Sequence, residues 1–381
     1  MNTNLLERVR TRLVEHDSDA TPARVAAALR AEGLVLGDAA VLDLVRSLRQ
    51  ELVGAGPLEP LLHLPGTTDV IVNGPSAVWI DRGAGLERTD VTFACEADVR
   101  RLAQRLAGSA GRRLDDAAPF VDARLPNGAR LHCAVPPIAV EGTLISLRIP
   151  NRAAFTLDDL VARGSMDDAA ADVLRDMMRA RLAILISGGT GSGKTTVLST
   201  LLGLVPPTER IVIVEDSTEL APDHPHTVRM QARMPNVEGS GTVTLRDLVR
   251  QALRMRPDRL VLGEVRGVEV VDLLAAMNTG HEGGMGTVHA NSAADVPARL
   301  EALGLMAGLD RLAVHALVAA AVDAIVHLGR DDAGRRIVSG IHILVRDDSG
   351  LVRAVPALAR QGGCLSAAEA MPQLATRLMR G

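Results

Sequence analysis

A glycine-rich segment with one lysine and two threonines carries the clearest chemical signal in the sequence. It fits the phosphate-loop pattern G-x-x-x-x-G-K-[ST] from Gly188 to Thr195. Glycines leave room for backbone N–H groups to turn toward a phosphate, and a helix that begins near Lys194 adds its positive dipole end. Lys194 can neutralise the β- and γ-phosphates, and the Thr195 hydroxyl can ligate Mg²⁺. The segment therefore predicts a nucleoside triphosphate site built from Gly188, Gly189, Thr190, Gly191, Ser192, Gly193, Lys194, Thr195 and Thr196.

A chance glycine-rich turn is the alternative interpretation of this segment. An apolar run at residues 182–186 precedes it, and an apolar helix start follows it. This strand–loop–helix context is the one that the motif requires, and it argues against chance.

Acidic residues follow two later apolar runs, where a hydrolase needs carboxylates to orient water and support a metal ion. Glu215 and Glu219 follow residues 210–214, and Glu264 follows residues 259–262. Because the carboxyl ends of strands meet at the ligand crevice of a doubly wound sheet, we expect these acids to face the nucleotide. For Glu215 and Glu219 a solvated loop charge is the alternative, above all for Glu219. Either Glu215 or Glu264 could support the Mg²⁺ bound to Thr195, through water.

Gly263 stands where the common second nucleotide motif has an aspartate, so this segment departs from the generic pattern.

Two histidines lie further along the chain in NTGHEGGMGTVHANS, residues 278–292. His289 ends an apolar strand pattern and can hydrogen-bond a γ-phosphate. A metal pair with His281 is a poor alternative, because no third ligand lies nearby. A capping or core histidine remains the alternative, above all for His281.

Composition narrows the functional classes. The 381 residues carry a net charge of −4, and aromatic residues make up 1%. Neither a basic field nor base-stacking aromatics are present, so we expect no direct nucleic-acid binding. The three cysteines are isolated, which argues against a zinc or redox site. The longest apolar tract, residues 316–322, is far shorter than the roughly 20 residues that span a bilayer, and no secretory signal is evident. We expect a cytoplasmic protein that meets a membrane only through a partner.

The elements that must position these residues predict an α/β fold in four parts. The parts are a helical region at residues 1–54, a smaller α+β domain at 55–150, a linker with helices at 151–181 and the phosphate-loop domain at 182–381. For the helical region, a simple packing or docking module without a further role is the alternative. Asn127-Gly128 predicts a hairpin between residues 122–125 and 129–134. Helix starts are predicted at Thr156-x-x-Asp159, Ser165-x-x-Asp168 and Thr244-x-x-Asp247.

Further strands are predicted at residues 69–72, 77–81 and 142–149 in the smaller domain. In the phosphate-loop domain they are predicted at 182–186, 210–214, 259–262, 285–289, 324–328, 336–346 and 351–355. Because helices alternate with strands there, we expect a largely parallel sheet whose closing strands are antiparallel.

Four motifs in order, GGTGSGKTT, IVEDSTEL, LVLGEVRG and TGHEGGMGTVHANS, resemble the type II/type IV secretion and pilus ATPase superfamily. Within it, GPLEPLL, DVIVNGP and LISLRIP, with the segment around LVLGEVRG, look like the CpaF-type tight-adherence (Flp) pilus ATPases. The resemblance covers roughly residues 55 to 345. The four-cysteine zinc insertion of general-secretion ATPases is absent, which disfavours that branch.

The resemblance implies a homohexameric ring whose subunits have a RecA-like C-terminal domain and hydrolyse ATP with Mg²⁺. Such a motor lies at the inner face of the cytoplasmic membrane and acts on an inner-membrane platform protein to assemble, and in some cases retract, a pilus. It also implies roles: Glu215 as the acid of the Asp box with Glu219 in support, Glu264 as the catalytic base, His289 and His281 as the His-box residues, and Arg124 and Arg148 as phosphate-reaching arginines of the N-terminal domain.

Two other functions remain open from the sequence. A conjugation-related ATPase that translocates DNA or protein is the first, and a nucleotide-gated scaffold with little hydrolysis is the second. For Arg124 and Arg148, surface strand arginines are the alternative, and whether they act on their own subunit's nucleotide or a neighbour's is left open.

Overall fold

The computed structural model describes residues 54–83, 85–149, 155–233, 235, 240–280, 282–361 and 363–379. The chain divides into two compact units, Met1–Asn151 and Arg152–Gly381. The helices predicted before residue 54, and His281, lie outside the described residues. The four-part division predicted from the sequence, with boundaries at residues 54, 150 and 181, stays a prediction.

The described part of the first unit is built on a six-stranded antiparallel sheet in the order β3-β2-β1-β6-β5-β4. The elements are α1 (Glu59–Leu62), β1 (Asp69–Asn73), β2 (Val78–Asp81), β3 (Leu86–Arg88), α2 (Glu96–Ser109), β4 (Phe120–Arg124), β5 (Arg130–Ala134) and β6 (Leu144–Arg148). Alternate strand residues join one face of α2 in a single apolar core, which includes Leu102, Leu131 and Leu147. The other face of these strands carries polar and apolar side chains together, including the half-buried Ile71 and Trp79 and the exposed Phe120.

The predicted hairpin at Asn127-Gly128 is confirmed, because β4 pairs antiparallel with β5 in a register that sets Asp122 opposite His132. The Asn127 side chain accepts a hydrogen bond from the Ala129 N–H at 3.0 Å. Gly128 has a φ of +91°, which a residue with a Cβ adopts only with strain. The turn residues therefore fix the register of the two strands.

The second unit is organised by a nine-stranded mixed sheet in the order β15-β14-β13-β12-β7-β11-β10-β8-β9. Its strands are β7 (Ile184–Gly188), β8 (Ile211–Glu215), β9 (Thr227–Gln231), β10 (Arg259–Val265), β11 (Met285–His289), β12 (Ala324–Arg330), β13 (Arg336–Arg346), β14 (Val352–Gln361) and β15 (Cys364–Ala367). Its helices are α3 (Leu157–Ala162), α4 (Asp168–Arg179), α5 (Lys194–Leu202), α6 (Leu245–Ala252), α7 (Glu269–Asn278), α8 (Val296–Met306), α9 (Arg311–Ala321) and α10 (Met371–Leu378).

Strands β9, β8, β10, β11, β7 and β12 run parallel, and β12 to β15 are antiparallel, as predicted. Every residue of β7 and β8 is buried, which is typical of parallel strands covered on both faces. Ile184 and Ile186 pack into one apolar cluster and Ala183 and Leu185 into another, so a core lies on each side of the sheet.

Helix starts follow the predicted pattern at two of three places. Thr156 and Thr244 both form complete capping boxes with the aspartate three residues later. The start predicted at Ser165 is wrong. Asp167 is the N-cap of α4 instead, because its own carboxylate accepts a hydrogen bond from the Ala170 N–H at 2.8 Å.

The strand predicted at residues 182–186 begins two residues later. Arg181 has a φ of +54°, and the Leu182 N–H donates to the Met177 carbonyl at 3.1 Å, so both residues close the end of α4. Strands β3, β9 and β15 and helix α10 were not predicted. Within the described part of the chain, no helix is both long enough and apolar enough to cross a bilayer.

Candidate functional site

The phosphate loop joins the carboxyl end of β7 to the first turn of α5, as the sequence predicts. Gly188 has a φ of +153°, and a Cβ there would lie 2.6 Å from both the Leu328 carbonyl and the Ser192 hydroxyl. Gly193, at φ +98°, is the N-cap of α5. The loop therefore requires glycine at both positions. Both have a positive φ, and at Gly188 a side chain would also collide with Leu328 and Ser192.

The Lys194 side chain is folded back onto this loop. Its Nζ donates to the carbonyls of Gly188 at 3.0 Å and Gly189 at 2.9 Å, and lies 3.4 Å from Nδ1 of His289. Burial lowers the pKa of Lys194, and the negative charge of Glu264 opposes that shift. The ammonium group is thus held at the loop by neutral carbonyl acceptors. A phosphate can replace these acceptors, because its charge makes a stronger hydrogen bond with the ammonium group.

Glu215 is a buried carboxylate at the end of β8 that organises the segment after it. Its Oε1 accepts hydrogen bonds from the N–H groups of Glu219 at 2.9 Å and Leu220 at 3.0 Å. Its Oε2 is buried with no hydrogen-bond partner. Burial raises the pKa of Glu215 to about 7, against the two backbone donors that lower it. Glu215, the acid predicted for the Asp box, therefore has a pKa near neutral pH, and its Oε2 makes no hydrogen bond within the protein.

The glycine at position 263 has a packing explanation. A Cβ there would lie 2.6 Å from Cγ of Glu215 and 3.1 Å from its Oε1. Real Cβ atoms do not approach other atoms this closely, so the buried glutamate fits beside β10 only if residue 263 lacks a side chain. The departure from the common second motif is thus tied to the presence of Glu215.

Glu264, His289 and Arg266 form a charged cluster beside the loop. Oε1 of Glu264 lies 2.8 Å from Nε2 of His289, at ion-pair distance but without the angles of a hydrogen bond, and Arg266 binds its Oε2. Burial lowers the pKa of His289, as does the charge of Lys194, whereas Glu264 raises it. Since Lys194 also contacts His289, the structure brings Lys194, His289 and Glu264 together as expected.

The Thr195 hydroxyl lies beside Glu219, whose Oε2 is 3.5 Å from Thr195 Oγ1. The predicted support of a Thr195-bound Mg²⁺ by Glu215 or Glu264, through water, stays a prediction. No group of three or more acids, histidines or cysteines that could hold a metal occurs among the described residues. Mg²⁺ in such sites takes one or two protein oxygens, phosphate oxygens and water, so Thr195 and Glu219 fit a magnesium ion that arrives with its nucleotide.

Two arginines near the loop were missed from the sequence. Arg330 and Arg336 pair directly across β12 and β13. Nη2 of Arg330 lies 3.3 Å from the Gly191 carbonyl, and Cδ of Arg336 would be 3.6 Å from a Cβ at Gly193. For Arg330 the signal that could have found it is an arginine at the carboxyl end of the strand beside the phosphate-loop strand, whereas Arg336 begins β13 and is placed only by its pairing with Arg330.

In the first unit, Arg124 and Arg148 lie in one row with a third arginine. Arg130 of β5 is directly opposite Arg124 of β4 on one side and Arg148 of β6 on the other. Directly opposed like charges destabilise a sheet, and the ion pair of Arg130 with Asp122, at 2.6 Å, offsets part of this cost. Arg130 was missed, although a three-residue loop at 126–128 between the two predicted strands places it opposite Arg124.

Known proteins resemble this chain along most of its length. The family model for the type II/IV secretion system protein matches residues 51–374. A putative conjugal transfer protein of Mycobacterium tuberculosis strain H37Rv is 58% identical over 327 residues, covering 84% of this chain and 93% of that protein. The conjugal transfer protein TrbB of Rhizobium radiobacter is 33% identical over 280 residues, covering 72% and 83%.

Among solved structures, the ATPase DotB of Legionella pneumophila superposes with a TM-score of 0.52 at 18% identity, covering 76% of this chain and 80% of that one. This likeness concerns the fold. The family match and the sequence identities carry the assignment: the chain belongs to the type II/IV secretion system protein family, and it is one of the P-loop ATP hydrolases of that family.

Proposed function

We propose that this protein binds ATP with Mg²⁺ at the phosphate loop and hydrolyses it to drive a type IV secretion apparatus of the conjugal-transfer kind. The observation that carries hydrolysis is the meeting of Lys194, His289 and Glu264 at the carboxyl ends of the adjacent strands β7, β11 and β10. A cation for the phosphates, a hydrogen-bonding imidazole and a carboxylate are the groups that phosphoryl transfer to water requires.

Each group has a role in this proposal. Lys194 exchanges the carbonyls of Gly188 and Gly189 for the β- and γ-phosphates when ATP binds. Glu264 orients and deprotonates the attacking water, and Arg266 and His289 hold its carboxylate in place. Thr195 and Glu219 would hold Mg²⁺, which would neutralise part of the negative charge on the phosphates.

Glu215 has a positioning role, because it accepts hydrogen bonds from the backbone N–H groups of Glu219 and Leu220 and so fixes the segment that carries the Glu219 side chain. For Arg124 and Arg148 we propose the role that the family resemblance implies, that of phosphate-reaching arginines, and their common row concentrates positive charge on the first unit. For His281 we propose a second, weaker contact from the His box to the phosphates.

The apparatus is proposed from the relatives. Two of them are named as conjugal transfer proteins, and a third, 33% identical, as the type IV secretion system protein PtlH of Bordetella pertussis. These names support the transfer-type motor better than a pilus motor. Assembly of a tight-adherence pilus is the second candidate, favoured by the sequence segments that resemble those ATPases. Both proposals include a homohexamer at the cytoplasmic face that acts through an inner-membrane platform protein.

Hydrolysis is tested with purified full-length protein and three variants. Lys194→Ala should weaken ATP binding. Glu264→Gln should keep the ATP Kd within about threefold and lower kcat by about 100-fold or more, the usual contribution of a general base. Glu369→Gln, at an exposed position of the same unit, is the matched control and should behave as wild type. Unchanged turnover in Glu264→Gln would refute the assigned base.

The apparatus is tested in cells that lack the gene. Complementation with wild type should restore macromolecular transfer to recipient cells, and complementation with Glu264→Gln should not. If transfer is unaffected by the deletion and surface pili disappear, the second candidate replaces the first.

A further inference from the structure

A buried serine–histidine pair lies directly behind the phosphate loop. Ser187, the residue before Gly188, is fully buried on β7, and its hydroxyl lies 2.9 Å from Nδ1 of His327 on the adjacent strand β12. His327 is itself 9% exposed. Neither side chain has a place among the groups that touch nucleotide in the proposed mechanism.

The His327 imidazole also has a neighbour in the segment that follows β11. The backbone of Asn291, two residues after His289, acts on the ring and raises its pKa. Strand β7 lies between β12 and β11, and the short helical turn that follows Asn291, Ala293–Asp295, lies against β12. A single ring therefore contacts both segments that carry the proposed phosphate-binding residues.

The protonation state of the ring follows from its surroundings. Burial lowers the pKa of His327, the charge of Lys194 acts in the same direction, and the Asn291 backbone and Asp295 oppose the shift. A neutral imidazole has one donor and one acceptor nitrogen. With Nδ1 accepting from the Ser187 hydroxyl, the remaining N–H is on Nε2, and the effect of the Asn291 backbone on the pKa is that of an acceptor for this group.

Strand β12 supports the loop at a further point. The Leu328 carbonyl, next to His327, lies so close to Gly188 that a Cβ there would be 2.6 Å away. The backbone of β12 thus touches the first glycine of the loop, while its imidazole holds the residue before it. Together these contacts define where the loop begins.

We propose that His327 is a positioning residue for ATP hydrolysis, which ties the phosphate-loop strand at Ser187 to the segment behind His289 at Asn291 and so sets the position of His289 relative to the loop. This inference rests on the proposed function for its consequence in turnover, but the tie itself is a property of the folded unit. His289 contacts Lys194 and Glu264, so a shift of its strand end displaces the group that joins the lysine to the base.

A matched control lies on the next strand. His342 of β13 pairs with Ile325, and this register puts its side chain on the same face of the sheet as that of His327. Its Nδ1 is buried and has no hydrogen-bond partner, and burial together with the charge of His327 lowers its pKa to about 4. His342→Leu therefore perturbs the same core without cutting the tie.

The first measurement is hydrogen–deuterium exchange of the full-length protein. His327→Leu should speed exchange about threefold or more in residues 189–196 and 289–293, since both segments lose an anchor. Ser187→Ala, a smaller change that keeps the core packed, should do the same with a smaller amplitude, and it carries the test if His327→Leu does not fold. His342→Leu should leave both segments unchanged. Unaltered exchange in the first two variants would overturn the tie.

The second measurement is a kinetic cycle with His289. His327→Leu should lower kcat by about 10- to 100-fold, as misplacement of a group by about 1 Å does, and leave the ATP Kd within about threefold. In a His289→Ala background the same substitution should lower kcat no more than about twofold, because its effect passes through His289. An equal loss in both backgrounds would show a structural role only and overturn the inference. Absence of turnover in wild type would instead refute the proposed function, and the exchange result would still decide the tie.

Discussion

The close packing of Gly263 against Glu215 gives a prediction with a defined magnitude. In Gly263→Ala, the new Cβ would overlap Cγ of Glu215 at 2.6 Å, and both groups are held by neighbouring parallel strands. Overpacking of this kind costs about 1–3 kcal/mol, and displacing the carboxylate also strains its hydrogen bonds to the N–H groups of Glu219 and Leu220. Because bonds to a carboxylate contribute about 1.5–3 kcal/mol each, partial loss brings the expected destabilisation to about 2–4 kcal/mol.

The assay is urea unfolding at equilibrium, combined with steady-state ATP turnover. Gly263→Ala should lower both the free energy of unfolding and kcat, because the Asp-box segment moves with its glutamate. Gly108→Ala, in α2 of the first unit, is the control, because a Cβ there meets no atom within 4 Å and the helix favours alanine by about 0.5–1 kcal/mol.

A double-mutant cycle decides whether Glu215 is the cause. In a Glu215→Ala background the Cγ is gone, so adding Gly263→Ala should cost less than about 1 kcal/mol, and the coupling energy should account for most of the single-variant effect. The same cost in both backgrounds would refute the explanation that residue 263 is glycine because of Glu215.

Three further outcomes are expected. Since the pKa of Glu215 rises from 4.5 to about 7 on folding, the folded protein binds the extra proton, and its stability relative to Glu215→Gln should fall by about 3 kcal/mol between pH 4.5 and pH 8 in urea titrations; a pH-independent difference would contradict this. The double variant Arg330→Ala/Arg336→Ala should raise the ATP Kd about tenfold. The control Arg335→Ala removes an arginine that is ion-paired to Asp331 in the same hairpin, and it should leave the Kd unchanged. Equal effects of the two changes would exclude a local contact of Arg330 and Arg336 with the nucleotide. Gly188→Ala should raise the ATP Kd by about 100-fold or more at unchanged circular dichroism, because the loop cannot accept a Cβ; binding within threefold of wild type would show that it relaxes without consequence.

The strands that the sequence predicted and those it missed differ in position within their sheets. The strongly apolar central strands, such as β7 and β8, were predicted with errors of two residues or less. The three missed strands, β3, β9 and β15, are all at sheet edges. An edge strand buries less surface, and β3 has only exposed residues, so no hydrophobic pattern marks it.

The candidate site divides in a similar way. Lys194, Glu215 and His289 each follow their own strand in a recognisable motif, so the sequence could place them at one edge of the sheet. Arg330 and His327 carry no motif, and they matter only because β12 pairs beside β7. Strand order is a non-local property, set by the packing of helices on both faces, and no local pattern near residue 327 encodes it.

The placement of β7 also bears on how the chain acquires its nucleotide site during synthesis. Its two neighbours, β11 and β12, are encoded about 100 and 140 residues downstream, so the phosphate-loop strand has no partners when it leaves the ribosome. Contacts at such separation form slowly, because closing long loops costs entropy before pairing repays it. ATP can therefore stabilise only a chain that has been translated past residue 330, and until then an apolar strand depends on chaperones or on partial collapse to avoid pairing with another chain.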